Sequence, residues 1–184
     1  PGMLALHLEL NAAEGPLKVR VWDDEVQACD MGDLAAQWFS NFLGADAPEN
    51  LKQLRLARFD PEVRRPSSAR WLGGREAGTQ FADGFALLVA STASLAGLNE
   101  RLVAAGQAPV DMRRFRPNVV LSGLEAHDED RVGPMRIATD GGEAAVIETV
   151  KPCQRCPIPN IDPDTAAESY RQRVLAQMGA GASA

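Results

Sequence analysis

The sequence predicts an α+β fold built from many short strands. Three observations carry this. Short alternating apolar segments recur along the chain, two amphipathic helical stretches separate them, and Gly- or Asp-rich turns lie between the segments. This mix favours a barrel or a strongly bent sheet over a doubly wound one.

In chain order, Leu4, Leu6, Leu8 and Leu10 alternate with smaller or polar neighbours, which reads as a first strand. Lys18 to Met31 reads as a hairpin, with Val19 and Val21 on one arm, Asp23-Asp24 in the turn, and Val26 and Ala28 on the other. A helix follows. Asp33 is its expected N-cap, Leu34, Ala35, Trp38, Phe39, Phe42 and Leu43 give it an apolar face, and Gly44 stops it. Leu54, Leu56 and Arg58 belong to a further strand. Residues 60 to 80 hold Pro61, Pro66, Gly73, Gly74, Gly78 and four arginines, an irregular stretch suited to a boundary.

Phe85 to Ala90 is a continuous apolar run, expected as a buried strand. Ser91 to Ser94 offers N-caps for a helix carrying Leu95, Leu98 and Leu102 and ended by Gly106. Asn118 to Leu121 reads as a strand. Arg136 to Ala138 and Ala144 to Val150 pair across Asp140-Gly141-Gly142. Lys151 to Thr165 carries four prolines and two cysteines and reads as a loop. Ala166 to Met178 suits a helix, and Gly179 to Ala184 a disordered tail.

The chain's 184 residues can bury a core without disulfides or metal. A net charge of -6 excludes a global basic footprint, so no nucleic-acid partner is expected. No apolar run is long enough to span a membrane, and secretion is not expected from the first residues, which hold no charged start, apolar stretch and small-residue cleavage site. Three cysteines argue against a disulfide framework and for a reducing compartment, and the expected location is cytoplasmic.

Three segments could carry chemistry. Lys151-Pro152-Cys153-Gln154-Arg155-Cys156-Pro157 contains a Cys-x-x-Cys, which serves as half a zinc site, a redox pair or two plain loop thiols. Zinc needs two more ligands, and the remaining inventory is Cys29, His7 and His127. Pro157 and Pro159 oppose the immediate helix of a thioredoxin-like pair. Arg155 adjoins Cys156, and cationic neighbours favour the thiolate, the form that binds soft metals. The second segment, Arg113-Arg114-Phe115-Arg116-Pro117-Asn118, puts three arginines before a strand. It reads as an anion site or as a solvated edge. Pro117 is expected to hold Arg116 extended. The third, Phe81-Ala82-Asp83-Gly84-Phe85, is a tight turn whose backbone N–H groups either face a ligand or serve the turn alone. No nucleotide-loop motif occurs, and two histidines give little support to a Ser/His/Asp triad.

These segments resemble, in this order, the MOSC domain family (molybdenum cofactor sulfurase C-terminal domain). The residues that carry the resemblance are Phe81 to Phe85 with Ser94-Leu95, Arg114 to Asn118, Lys151 to Cys156, and Asp162-Pro163-Asp164-Thr165. It spans about Phe81 to Thr165, and Val19 to Gly44 looks like the latter part of the β-barrel-like module that precedes such domains. The resemblance implies an α+β protein with a MOSC-like β-barrel core and short helices. Its implied organisation is residues 1–60 as the N-terminal module, 61–178 as a C-terminally incomplete MOSC domain, and 179–184 as a tail.

The resemblance also implies a molybdenum cofactor (molybdopterin) and a role in reducing N-hydroxylated compounds. Cys156 would ligate molybdenum, Arg116 and Asn118 would contact the molybdopterin, Gln154 and Arg155 would line the same site, and Asp83 and Gly84 would approach the cofactor's phosphate end. The partners implied are a small-molecule substrate and a separate electron-donor protein, because no flavin, haem or iron–sulfur motif is visible. The alternatives are a sulfur carrier using a Cys156 persulfide, and a non-catalytic binding module. Lys-Ser and Gly-Leu-x-x-Asp-Arg segments of the family, and its final Gly-containing strand, are not in the sequence. The chain is therefore expected to be an internal portion of a larger protein, a truncated gene product or an excised domain. Its Leu4–Leu10 edge is expected to lack a partner strand, and its metal to be absent or substoichiometric.

Overall fold

A computed structural model describes residues 3–44, 48–49 and 52–166. The chain divides into two compact units. One comprises residues 1–69 with 74–86, and the other residues 70–73 with 87–184.

The first unit is organised by the expected hairpin. Strand β1 (Gly15–Val21) pairs antiparallel with β2 (Asp24–Asp30), with Val19 opposite Val26. The turn falls at Trp22-Asp23, one residue earlier than expected, and Trp22 takes a positive φ of 58°. Strand β3 (Ala57–Phe59) adds to the other edge of β2, so Arg58 is in the strand while Leu54 and Leu56 precede it. Val26 and Ala28 are buried on one face of β2.

Helix α1 (Asp33–Leu43) follows at its expected place. Its N-cap is Gly32, not Asp33. Gly32 adopts φ 92°, and its N–H donates to Asp30 Oδ1 at 2.9 Å. Asp33 instead sits in the first turn, where a carboxylate faces the positive end of the helix dipole, and pairs with Arg55. The apolar face is only partly covered. Ala35 is buried, while Leu34 and Phe42 are exposed. Trp38 stacks on Phe42 with ring centroids 5.6 Å apart.

The alternating leucines at the start form no strand. Leu4 is 89% and Leu10 73% exposed. An alternating pattern needs a neighbouring strand to hydrogen-bond with, and none of the described residues supplies one.

The second unit holds a parallel pair, β4 (Val89–Ser91) with β5 (Val119–Leu121), joined through helix α2 (Thr92–Ala104). Ser91 caps α2: its Oγ accepts from Ser94 N at 3.1 Å and donates to Glu129 Oε2 at 2.9 Å. Leu98 and Leu102 on α2 pack with Val110, and Leu95 and Phe115 border them. The Asn99 amide brackets Val110, donating to its carbonyl at 2.9 Å and accepting from its N–H at 2.8 Å. A final hairpin pairs β6 (Met135–Ile137), one residue earlier than expected, with β7 (Ala145–Ile147), shorter than expected, across Asp140-Gly141-Gly142.

Two further expectations need correction. The run Phe85 to Ala90 is a strand only at its end, because residues 81–86 are a series of bends. The physical reason lies in the partner strand: Arg116 is left-handed and Pro117 has no N–H to donate, so the pairing with β5 begins where Asn118 and Val119 donate to the Leu88 carbonyl. In the first unit, the buried Arg65 guanidinium donates to the carbonyls of Gln80, Ala82 and Asp83 and to Asp24. The described strands form one three-stranded and two two-stranded sheets, which close no barrel among the described residues. The α+β class holds. The expected helix Ala166 to Met178 and the tail lie, apart from Ala166, outside the described residues.

Candidate functional site

The cysteine loop is assembled against a short 3-10 turn, Met112–Phe115, that precedes β5. The turn starts at Asp111, whose carboxylate accepts from Arg113 N at 2.8 Å. It ends at Arg116 in a left-handed conformation, φ 53° and ψ 45°. The sequence expectation that Arg116 is extended is therefore incorrect. The residue before a proline avoids the right-handed helical region, but the left-handed one remains open and lets the chain leave the turn.

The three arginines divide in function. Arg114 is 6% exposed. Its Nη2 donates to Asp162 Oδ2 at 2.8 Å and its Nη1 to the Pro159 carbonyl at 3.4 Å. Arg113 is exposed and sits between Asp111 and Asp164, with Nη2 2.8 Å from each. Arg116 is exposed and has no ion-pair partner among the described residues. Two of the three candidate anion-binding arginines thus already hold carboxylates of this chain.

Asp162 is the matching element on the loop. Its Oδ1 accepts from Asp164 N, Thr165 N and Thr165 Oγ at 3.0, 3.0 and 3.1 Å, while Oδ2 takes Arg114. Those backbone N–H bonds, foremost that of Thr165, hold its carboxyl below the usual carboxylate range, and Arg114 adds to the effect. Asp164 is lowered by Arg113, Asp111 likewise, and Arg113 is raised by Asp164 and then Asp111.

Arg155 makes the third tie. Its Nη2 donates to the Phe115 carbonyl at 2.8 Å, and its Nη1 lies 3.4 Å from Cys153 Sγ. The arginine expected to favour a Cys156 thiolate points at Cys153 instead. Cys153 and Cys156 are both free and exposed, and Gln154 between them is exposed. Cys29 is half-buried, on the face of β2 opposite Val26 and Ala28.

Asn118 is fixed at the entrance to β5, where its Oδ1 accepts from Leu88 N at 2.8 Å. Within the second unit the structure therefore brings Arg155 and the cysteine loop to the backbone just before Arg116. Asn118 lies two residues beyond. Asp83 and Gly84 belong to the first unit. There Asp83 Oδ1 accepts the Trp22 indole N–H at 3.1 Å, and the Asp83 carbonyl accepts from Arg65 at 3.2 Å. Among the described residues no group of three or more His, Cys, Asp or Glu side chains could hold a metal ion, and no helix is long and apolar enough to cross a membrane.

The pairing of Arg114 with Asp162 was missed in the sequence, although a signal existed. Adjacent arginines and an Asp-x-Asp-Thr segment are complementary in charge and spacing, and an Asp followed by free N–H groups two and three residues on favours an Asx turn.

The model of the MOSC domain matches residues 77–182. Mitochondrial amidoxime reducing component 2 of Bos taurus is 32% identical over 169 residues, covering 90% of this chain and 46% of that protein. Mitochondrial amidoxime-reducing component 1 of Homo sapiens is 32% identical over 171 residues, covering 92% and 46%. The component 1 protein of Danio rerio is 30% identical over 175 residues, covering 94% and 50%. The chain spans about half the length of these relatives. With the matched model covering more than half of its residues, the chain belongs to the MOSC domain family.

Proposed function

We propose that this chain carries the cofactor-holding loop of a molybdenum-dependent oxidoreductase that reduces N-hydroxylated compounds, with Cys156 as the metal's protein ligand. The observation that supports the reading best is the loop itself. An exposed free cysteine stands on a segment tied to the 3-10 turn at Arg114, Arg113 and Arg155. A thiolate is a soft ligand suited to such a metal. The residues fit a group that brings its own ligands. Among the described residues no cluster could hold a bare metal ion, while two accessible sulfurs, Cys153 and Cys156, and an arginine without an ion-pair partner, Arg116, are available.

On this reading, Cys156 would bind the metal. Arg116 and the Asn118 amide would take polar atoms of the molybdopterin, and Gln154 and Arg155 would border it. The cofactor supplies the redox chemistry when bound. The protein's part is positional. Arg114 and Asp162 fix the loop's far end, and Arg155 fixes its middle to the Phe115 carbonyl. Electrons would reach the site from a separate protein. The matched relatives, whose names call them mitochondrial amidoxime-reducing components, support this substrate class. We assign residues 61–178 to the MOSC portion and 1–60 to the preceding module.

The test is molybdenum content. Protein produced in a host that makes the cofactor should retain molybdenum, even below one atom per chain. Cys153→Ser should keep it and Cys156→Ser should lose it. Retention unchanged in Cys156→Ser, or none in any variant, would contradict the proposal. Cyanide-labile sulfur on Cys156 without molybdenum would replace it with the sulfur-carrier reading.

A further inference from the structure

We infer that Trp71, Arg70 and Lys151 form an oxyanion-binding site for a small molecule bearing a carboxylate or phosphate group. The inference stands whether or not Cys156 holds a metal.

Two cationic side chains lie near one half-buried indole within the second unit, and the indole N–H is a third donor. The Arg70 guanidinium carbon lies 5.2 Å from the Trp71 ring centroid, and Lys151 Nζ lies 5.7 Å from it. Both distances are within cation–π range, so the ring's quadrupole holds the two cations close to it. The charged centres are then at most about 11 Å apart, comparable to the Debye length of ~10 Å at 0.1 M salt, so each feels the other. Neither has a carboxylate partner among the described residues, in a chain whose acidic groups outnumber its basic ones. Arg55, Arg65, Arg113 and Arg114, by contrast, are each paired with an aspartate.

The indole N–H points to the same conclusion. The chain has three tryptophans. Trp22 Nε1 donates to Asp83 Oδ1 at 3.1 Å, and Trp38 Nε1 donates to the Leu4 carbonyl at 2.8 Å. Trp71 Nε1 has no acceptor among the described residues. A fork of guanidinium donors, a mobile ammonium and an indole N–H, all lacking acceptors among the described residues, are what an oxyanion satisfies. Arg70 precedes Trp71 on a 3-10 turn (Ala69–Trp71), and Lys151 opens the loop that carries Cys153 and Cys156, so a bound anion would join the two segments.

The test uses the three indole N–H resonances of the full chain labelled with nitrogen-15, with Trp71→Phe identifying the Trp71 signal. Inorganic phosphate and benzoate are titrated separately at constant ionic strength. The Trp71 signal should move and saturate, while those of Trp22 and Trp38, already bonded, stay in place. Arg70→Gln with Lys151→Gln should weaken binding at least tenfold, and the conservative Lys151→Arg should retain it. Saturation by phosphate alone identifies a phosphate ligand, and saturation by benzoate identifies a carboxylate. A Trp71 signal that does not move, that moves without saturating, or that moves equally in the double variant overturns the proposal. The wild-type titration decides the matter even where the double variant fails to fold.

Discussion

Replacing Arg114 by alanine tests whether the arginine cluster is a structural clamp or a ligand site. The substitution removes a buried guanidinium, its 2.8 Å bond to Asp162 and its 3.4 Å bond to the Pro159 carbonyl. Breaking a fully buried ion pair costs about 3–5 kcal/mol, because the abandoned charge stays desolvated. Here that upper range does not apply. Asp162 is 29% exposed and keeps its three bonds from Asp164 and Thr165, so water and backbone N–H groups still solvate it. A hydrogen bond to a charged group contributes about 1.5–3 kcal/mol, which sets the expected loss at about 2–3 kcal/mol. At roughly 2–4 °C per kcal/mol for a chain of this size, Tm should fall by about 4–12 °C. Arg113→Ala is the control. Its partners are solvated, and surface pairs contribute little, so its Tm should match the wild type. Urea denaturation with an unchanged m-value reads both. Equal losses for Arg113→Ala and Arg114→Ala, or a wild-type midpoint for Arg114→Ala, would refute the clamp.

Other perturbations test neighbouring parts of the account. Leu102 is fully buried in a small core, so Leu102→Ala should cost about 2–4 kcal/mol by calorimetry, and a loss under about 1 kcal/mol would show that the site collapses around the cavity. Asp30, Asp111, Asp162 and Asp164 all have folded pKa values below their unfolded ones. Their contribution is therefore complete above about pH 4, the unfolded carboxylate value, and is lost as pH falls through the lower folded values. A Tm that rises on acidification below about pH 4 would contradict this sign. Arg116→Ala should leave Tm within about 1 °C, since the side chain is exposed and without an ion-pair partner among the described residues, while weakening cofactor retention. Under limiting alkylator, Cys153 and Cys156 should be modified before the half-buried Cys29, and mass mapping that finds Cys29 first would count against the exposed-loop geometry.

What could be read from the sequence was what local chemistry decides. The β1–β2 hairpin, α1 and its stop at Gly44, α2 with its serine cap, and the Asp140-Gly141-Gly142 turn each depend on residues within one turn of the feature. What could not be read was set by distant partners. Arg65 reaches 15 to 18 residues forward to the carbonyls of Gln80, Ala82 and Asp83. Arg114 and Arg113 find their carboxylates 48 and 51 residues away, which turned two of three expected anion binders into anchors. Arg155 adjoins Cys156 in sequence yet turns to Cys153 in space. The cysteine loop and the strand entrance were legible as segments, and the ties that join them were not.

The central claim, that Cys156 is the protein ligand of a molybdenum centre, is tested most directly by X-ray absorption at the molybdenum edge on metal-loaded protein. The account predicts that Cys156→Ser, measured on whatever metal it retains or takes up on reconstitution, shows one sulfur neighbour fewer than the wild type, while Cys153→Ser leaves the sulfur shell intact. An unchanged shell in Cys156→Ser, or one lost in Cys153→Ser, would contradict it.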